Sequence, residues 1–255
     1  MKLLVEKIGW FEEVKPMLPF DIEIIDLQKP IKTLKNYCHQ HKVDVILCLQ
    51  YETILYHYQN SRSEINMLPW WFPCEAASKM EDKFHAYNWF RDNGYGAFLP
   101  KTCGLEETPF IIKLGNGRSG NSVFYVQDNE DLQRYLPLPN IAIVQAYIAS
   151  PYEYAFHFIA DDGRIILHET YQHDFQQQHK SLSHYIRGHR DRNLVSNRYQ
   201  LSDQHFDVLS SIIQKLNYRG FGCFDLKIVG EQIFIIERPF KCEVQFSERN
   251  KNILE

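Results

Sequence analysis

Two acids in one short hairpin are the residues of this chain best suited to chemistry. Around a turn at Gly230-Glu231 the sequence runs as two β-rich stretches, Asp225-Leu-Lys-Ile and Gln232-Ile-Phe-Ile-Ile-Glu237. Roughly symmetric pairing about a tight turn brings Asp225 and Glu237 together at the open end of the ribbon. Two carboxylates held that close repel unless something positive lies between them, and a hard divalent cation such as Mg2+ meets that need. Mg2+ takes only one or two protein carboxylates and often completes its shell with water and phosphate oxygens, so the pair asks for a nucleotide. The same residues also allow a plainer arrangement, in which both acids are solvated or paired with Lys227, Arg238 or Lys241.

A second stretch fits an anion. Lys113 directly precedes Leu114-Gly115-Asn-Gly117-Arg-Ser119-Gly120, where three glycines in a short turn let backbone amides face an anion without Cβ obstruction. The P-loop string needs Gly-Lys-Ser/Thr and a helix behind it. Here strands flank the turn, which therefore reads as a flap over phosphates. Arg187 stands out in the basic stretch 187–198, which also holds His189, Arg190 and Arg192, because a guanidinium matches carboxylate and phosphate geometry. His157 and His168 read as structural, and no spacing supports a Ser-His-Asp or Cys-His nucleophile.

The elements that position these residues follow from periodicity. Residues 1 to about 78 alternate strand and helix: Lys2–Val5, Asp21–Ile25, a helical Ile31–His41 and the apolar run Val43–Leu49, as in a small parallel α/β unit. Met67-Leu-Pro-Trp-Trp-Phe-Pro73 reads as a junction. A helix is expected from about Ser78 to Asn93, carrying Lys83 near its middle and stopping at Asn93-Gly94. Ala97–Lys101, Phe110–Leu114 and Val123–Val126 read as strands, Asp128–Tyr135 as a short helix, and Ile141–Tyr147 as a buried strand. Tyr154–Ile159 and Arg164–Thr170 form a further antiparallel pair, His173–His189 reads as a long loop, and Leu201–Asn217 as a helix capped by Ser202.

Composition sets limits on function. The 255 residues suffice for one large domain or two small ones, and 44% hydrophobic with 24% charged residues is the balance of an ordinary globular protein. A net charge of −4 supplies no basic field for nucleic acid. No apolar run reaches the roughly 20 residues a bilayer span requires, and residues 1–5 are too short to read as a signal peptide. Six cysteines without a C-x-x-C pair argue against a zinc cluster and fit a reducing cytoplasm.

In this order the pieces resemble the ATP-grasp superfamily over nearly the whole chain. The resemblance rests on Asp82-Lys83, Leu99-Pro-Lys-Thr102, Lys113 before the glycine turn, Val144-Gln-Ala-Tyr-Ile148, Glu153 in Pro-Tyr-Glu-Tyr154, and the acids Asp225 and Glu237. It implies an α/β (α+β) fold: a pre-grasp domain at 1–77 and a grasp domain at 78–255, with a flap subdomain near 108–146 and a C-terminal antiparallel sheet near 147–255. It implies that Lys83 and Lys113 hold the α- and β-phosphates of ATP, with the flap at Gly117, Ser119 and Gly120 over the γ-phosphate. Gln145, Tyr147 and Ile148 would meet adenine, Glu153 the ribose, and Asp225 and Glu237 the Mg2+. The implied activity is an ATP-dependent carboxylate-amine ligase working through an acyl phosphate, in the cytoplasm, on small-molecule or peptide carboxylates and amines. The reading includes no nucleic acid or membrane partner and admits a homodimer.

The sequence departs from the family at the last strand, where Glu-x-Asn-x-Arg is usual and Glu237-Arg-Pro239-Phe-Lys241 stands. Proline offers no side-chain oxygen, and Lys241 keeps the positive charge without arginine's fork. Two other readings therefore stay open: a degenerate module that binds nucleotide without ligating, and an α/β interaction protein that docks through Trp70 and Trp71.

Overall fold

The computed structural model describes residues 2–7, 21–48, 53, 56–57, 60, 80, 82–114, 123–139, 142–174 and 195–237. Three short apolar strands, β1 (Lys2–Glu6), β2 (Asp21–Ile25) and β3 (Val45–Leu47), form a parallel sheet in the order β2-β1-β3. Parallel neighbours need a crossover, and helix α1 (Ile31–His41) supplies it between β2 and β3, burying Ile31, Leu34 and Cys38 along one stripe.

Helix α2 spans Lys83–Phe90, which corrects the expected start near Ser78. The Asp82 carboxylate accepts the His85 N–H at 2.9 Å and caps the helix, so Lys83 is its first residue rather than its middle. Beyond Phe90 the chain loosens into a π-helical turn, Arg91–Tyr95, with Gly94 at φ 88 where a stop was expected. The expected strand Ala97–Lys101 is instead a 3-10 turn, Gly96–Phe98, followed by extended chain that makes an isolated bridge from Thr102 to Gln145. Pro100 has no N–H to give a ladder, and the apolar run before it is too short to impose one.

Strands β4 (Phe110–Leu114), β5 (Val123–Val126) and β6 (Ala142–Ala146) form an antiparallel sheet in the order β5-β4-β6. The short helix α3 (Asn129–Gln133) covers one face, where Phe110, Ile112, Val126 and Leu132 make a separate buried cluster.

The largest sheet is antiparallel, in the order β11-β10-β7-β8-β9, from β7 (Tyr152–Asp161), β8 (Arg164–Asp174), β9 (Val195–Arg198), β10 (Gly220–Val229) and β11 (Gln232–Glu237). Helix α4 (Asp203–Lys215) lies on one face, with Ser202 Oγ accepting the His205 N–H at 3.3 Å as the expected cap. Its Leu209, Ile212 and Ile213 join Phe156, Phe158, Phe224 and Leu226 in a core that continues to Leu4 and Ile46 of the first sheet and to Ala86 and Phe90 of α2.

Two expectations are corrected here. β10 begins at Gly220, five residues before Asp225, because Gly220–Phe224 pair with β7 despite the low strand preference of two glycines. Pairing across the sheet overrides local preference. The segment expected to be loop from His173 contributes the end of β8 and is followed by β9, paired from Tyr171↔Arg198 to Asp174↔Val195. Residues 175–194, like the junction at 67–73 and the expected domain boundary at residue 77, lie outside the described residues. Among the described residues no helix is long and apolar enough to cross a membrane.

Candidate functional site

Residues opposite one another across a ladder share a face. In the three-stranded sheet, Lys113 lies opposite Ile143 and Val123, and Ile111 lies opposite Gln145 and Tyr125. This face is the reverse of the one packed by Phe110 and Ile112 under α3. In the five-stranded sheet, Phe224 and Leu226 turn toward α4, so Cys223, Asp225 and Lys227 turn the other way. The Lys113 ammonium donates to the Ile236 carbonyl at 2.6 Å, which brings the three-stranded sheet up to β11, the edge strand of the larger one, and opens an inter-sheet cleft beside that contact as the candidate site.

That contact lands beside the acidic pair. β10 and β11 pair as Leu226↔Ile235, Lys227↔Phe234, Ile228↔Ile233 and Val229↔Gln232 around Gly230, whose φ of 60 suits a glycine in a two-residue turn. Continued unbroken, this register sets Asp225 against Ile236. A bulge between Asp225 and Leu226 shifts it by one, and Asp225 pairs with Glu237 instead. The bulge sets the Glu237 backbone directly across from Asp225, close to the near-symmetric pairing expected from sequence. Asp225 is half-buried, and its Oδ1 accepts a weak bond from the Cys223 thiol at 3.7 Å.

The connector from β6 to β7 forms the other wall. Gln145 is buried, its amide nitrogen donating to the Pro100 carbonyl at 3.3 Å, while its Oε1 has no hydrogen-bond partner among the described residues. A buried acceptor in that state is costly, and a ligand amino group would relieve it. The Ala146 and Tyr147 N–H groups are engaged, to the Lys101 carbonyl at 2.8 Å and the Pro109 carbonyl at 3.4 Å, which fixes this stretch of backbone. Tyr147 and Ile148 are half-buried, and the Tyr147 ring meets Tyr125 edge-on at 5.0 Å. Burial raises the Tyr147 hydroxyl above its ordinary pKa, with Tyr125 and Glu153 adding to the effect, so it stays a neutral donor.

Glu153, near the start of β7, lies 3.8 Å from the Lys227 ammonium. Lys227 also donates to the Ser150 carbonyl at 3.0 Å and stands 5.9 Å from the Tyr147 ring centroid. Lys83 is buried at the head of α2, which packs against β4.

The structure thus brings Lys113, Gln145, Tyr147, Ile148, Glu153, Asp225 and the Glu237 backbone around one inter-sheet cleft, with Lys83 on the helix behind β4. Gly117, Ser119 and Gly120 of the expected flap, Arg187, Pro239 and Lys241 lie outside the described residues. Sequence reasoning left out Cys223, Ser150 and Tyr125, and it offered Lys227 only as a partner for the acidic pair, whereas the structure sets it beside Glu153. The signal for Lys227 was present, since a residue two positions after Asp225 in a strand must share its face.

An acidic pair on one ribbon can accept a hard cation. Among the described residues no group of three or more His, Cys, Asp or Glu side chains could hold a metal. The Asp225↔Glu237 pairing fits a Mg2+ held jointly with phosphates, and the buried Gln145 oxygen without a partner among the described residues fits an adenine amino group.

A profile described as the ATP-grasp domain matches residues 80–238. The match ends one residue before Pro239. No curated protein sequence matches the chain. Among solved structures, the chain resembles a D-alanine--D-alanine ligase from Bacillus anthracis, with a TM-score of 0.59 and 13% identity over 93% of this chain and 86% of that one. It also resembles a biotin carboxylase complex from Campylobacter jejuni, with a TM-score of 0.62 and 14% identity over 96% of this chain and 66% of that one. An L-amino acid ligase from Bacillus licheniformis aligns with a TM-score of 0.59 and 12% identity over 92% of this chain and 66% of that one. The chain spans about two thirds of those last two proteins, and identities this low carry the fold alone.

Proposed function

This chain belongs to the ATP-grasp family, and from that premise we propose that its inter-sheet cleft binds Mg·ATP and that the protein is a carboxylate-amine ligase working through an acyl phosphate. The observation that carries the reading is the Lys113 ammonium bonded to the Ile236 carbonyl, one residue from Glu237 and beside the Asp225↔Glu237 pair. A cation from one sheet reaches the strand of the other that ends in the acidic pair, and a metal-bound triphosphate needs both signs of charge.

In this reading Lys113 and Lys83 hold the α- and β-phosphates, and Gly117, Ser119 and Gly120 lay backbone amides over the γ-phosphate. Gln145 Oε1 accepts from the adenine amino group beside the carbonyls of the connector, Tyr147 and Ile148 pack against the base, and Glu153 accepts from the ribose hydroxyls. Asp225 and Glu237 hold the Mg2+, which when bound neutralises charge on the phosphates. Arg187 anchors the substrate carboxylate and Lys241 sets positive charge beside the phosphoryl group being transferred. The carboxylate oxygen attacks the γ-phosphorus, ADP leaves, and an amine then displaces phosphate from the acyl carbon to form an amide. The reading places the protein in the cytoplasm with small carboxylate and amine substrates.

Purified protein incubated with Mg·ATP and pools of amino acids and small carboxylates is expected to release ADP only when a carboxylate and an amine are both present. ATP binding without ADP from any pool favours the alternative of a nucleotide-binding module that does not turn over, for which Pro239 in the usual asparagine position is the specific argument.

A further inference from the structure

Lys227 is a charged side chain placed where an apolar one would pack, since it is only 6% exposed. Burial of an ammonium is costly unless acceptors surround it. Three acceptors do so here: the Ser150 carbonyl at 3.0 Å, the Glu153 carboxylate at 3.8 Å and the face of the Tyr147 ring, whose centroid is 5.9 Å away.

Tyr147 and Ser150 belong to the connection between the two sheets that form the cleft, since β6 ends at Ala146 and β7 begins at Tyr152, and Glu153 is the second residue of β7, paired with His173. The stretch is not otherwise held by a ladder over its middle. Its internal support is local, with Ser150 Oγ donating to the Tyr152 carbonyl at 3.1 Å and accepting the Tyr152 N–H at 3.3 Å. Lys227 itself sits on a rigid platform, the middle strand pairing of β10 between β7 and β11. Its ammonium therefore ties the connector to the strand that also carries Asp225, two residues away on the same face.

From this geometry we infer that Lys227 is a positioning residue for nucleotide recognition: by gripping Ser150, Glu153 and the Tyr147 ring together, it fixes the connector so that Glu153 is presented to the ribose hydroxyls. The inference rests on the proposed nucleotide site and adds to it the residue that sets sugar specificity without being a phosphate ligand. Held against Ser150 and the Tyr147 ring, the lysine limits the ways the Glu153 carboxylate can turn. A Glu153 fixed in one orientation discriminates a hydroxylated ribose from one without hydroxyls. A loose carboxylate solvates itself and loses that preference.

The test compares the dissociation constants of Mg·ATP and of Mg·2′,3′-dideoxy-ATP for the whole chain and for Lys227→Met, Glu153→Gln and the double variant. The unaltered protein should prefer ATP by about tenfold or more, the worth of a hydrogen bond to a charged group. Lys227→Met should reduce that preference to within about twofold while leaving dideoxy-ATP affinity nearly unchanged, and the double variant should lose nothing beyond Glu153→Gln, as expected for two residues acting as a unit. Should Lys227→Met fail to fold, Lys227→Gln, which keeps an N–H for Ser150 but removes the charge, is titrated in its place with the same expectation. Equal weakening of both nucleotides with the preference intact overturns the inference and leaves Lys227 a packing residue. Binding of neither nucleotide by the unaltered protein overturns the nucleotide site itself, which is a different failure.

Discussion

Asp225→Asn is expected to reduce ADP release by about 100-fold or more, as loss of preorganised charge at a reacting phosphoryl group does. The change is nearly isosteric, and Asp225 is half-buried with its Oδ1 accepting a weak bond from the Cys223 thiol; the denaturation midpoint of the variant reports any loss to the fold. The backbone pairing with Glu237 and Ala155 does not involve the side chain. Affinity for ATP without metal should rise or stay level in the variant, because removal of one negative charge lessens repulsion of the phosphates. Affinity measured with Mg2+ should fall. Turnover within about threefold of the unaltered protein would place the metal elsewhere.

Lys113→Met is expected to weaken Mg·ATP binding by about 10- to 100-fold, the worth of one charge-assisted hydrogen bond. It should carry a second effect that Asp225→Asn lacks. The ammonium bonds the Ile236 carbonyl across the cleft at 2.6 Å. Its loss unties the three-stranded sheet from β11, at a cost of about 1 kcal/mol in stability without nucleotide. Lys113→Arg keeps the charge and should recover much of the affinity. Denaturation midpoints and nucleotide titrations on the same preparations separate the two effects. Unchanged affinity in Lys113→Met contradicts the assigned phosphate contact.

Much of this site was legible because chemistry in strands is local in sequence. The tight turn at Gly230 fixes which residues of β10 and β11 meet, and a lysine before a glycine-rich turn announces an anion site. The β-bulge was not legible, because its extra residue, Ile236 of β11, lies in a uniform apolar run and no residue type marks the position. The partners of Lys227 were hidden for a different reason. Strand spacing gives its face, but only the register between β10 and β7 reveals that Glu153 lies next to it. The start of α2 was misplaced because Met80 continues the apolar spacing of Phe84 and Tyr87 upstream, whereas the Asp82 carboxylate settles the boundary by capping. Gly220 and Gly222 argued against a strand that β7 nevertheless holds in place.

The most direct test of the cleft is the melting temperature of the unaltered protein titrated with ATP, with and without Mg2+. A ligand bound to the native state alone stabilises it by about 2.7 kcal/mol at one hundred times its dissociation constant. For a chain of this size that corresponds to a rise of roughly 5–10 °C. The arrangement of Lys113 opposite Asp225 and Glu237 predicts such a rise with Mg·ATP, a smaller one with ATP alone, and none with Mg2+ alone. A melting temperature that does not move at millimolar Mg·ATP would contradict it.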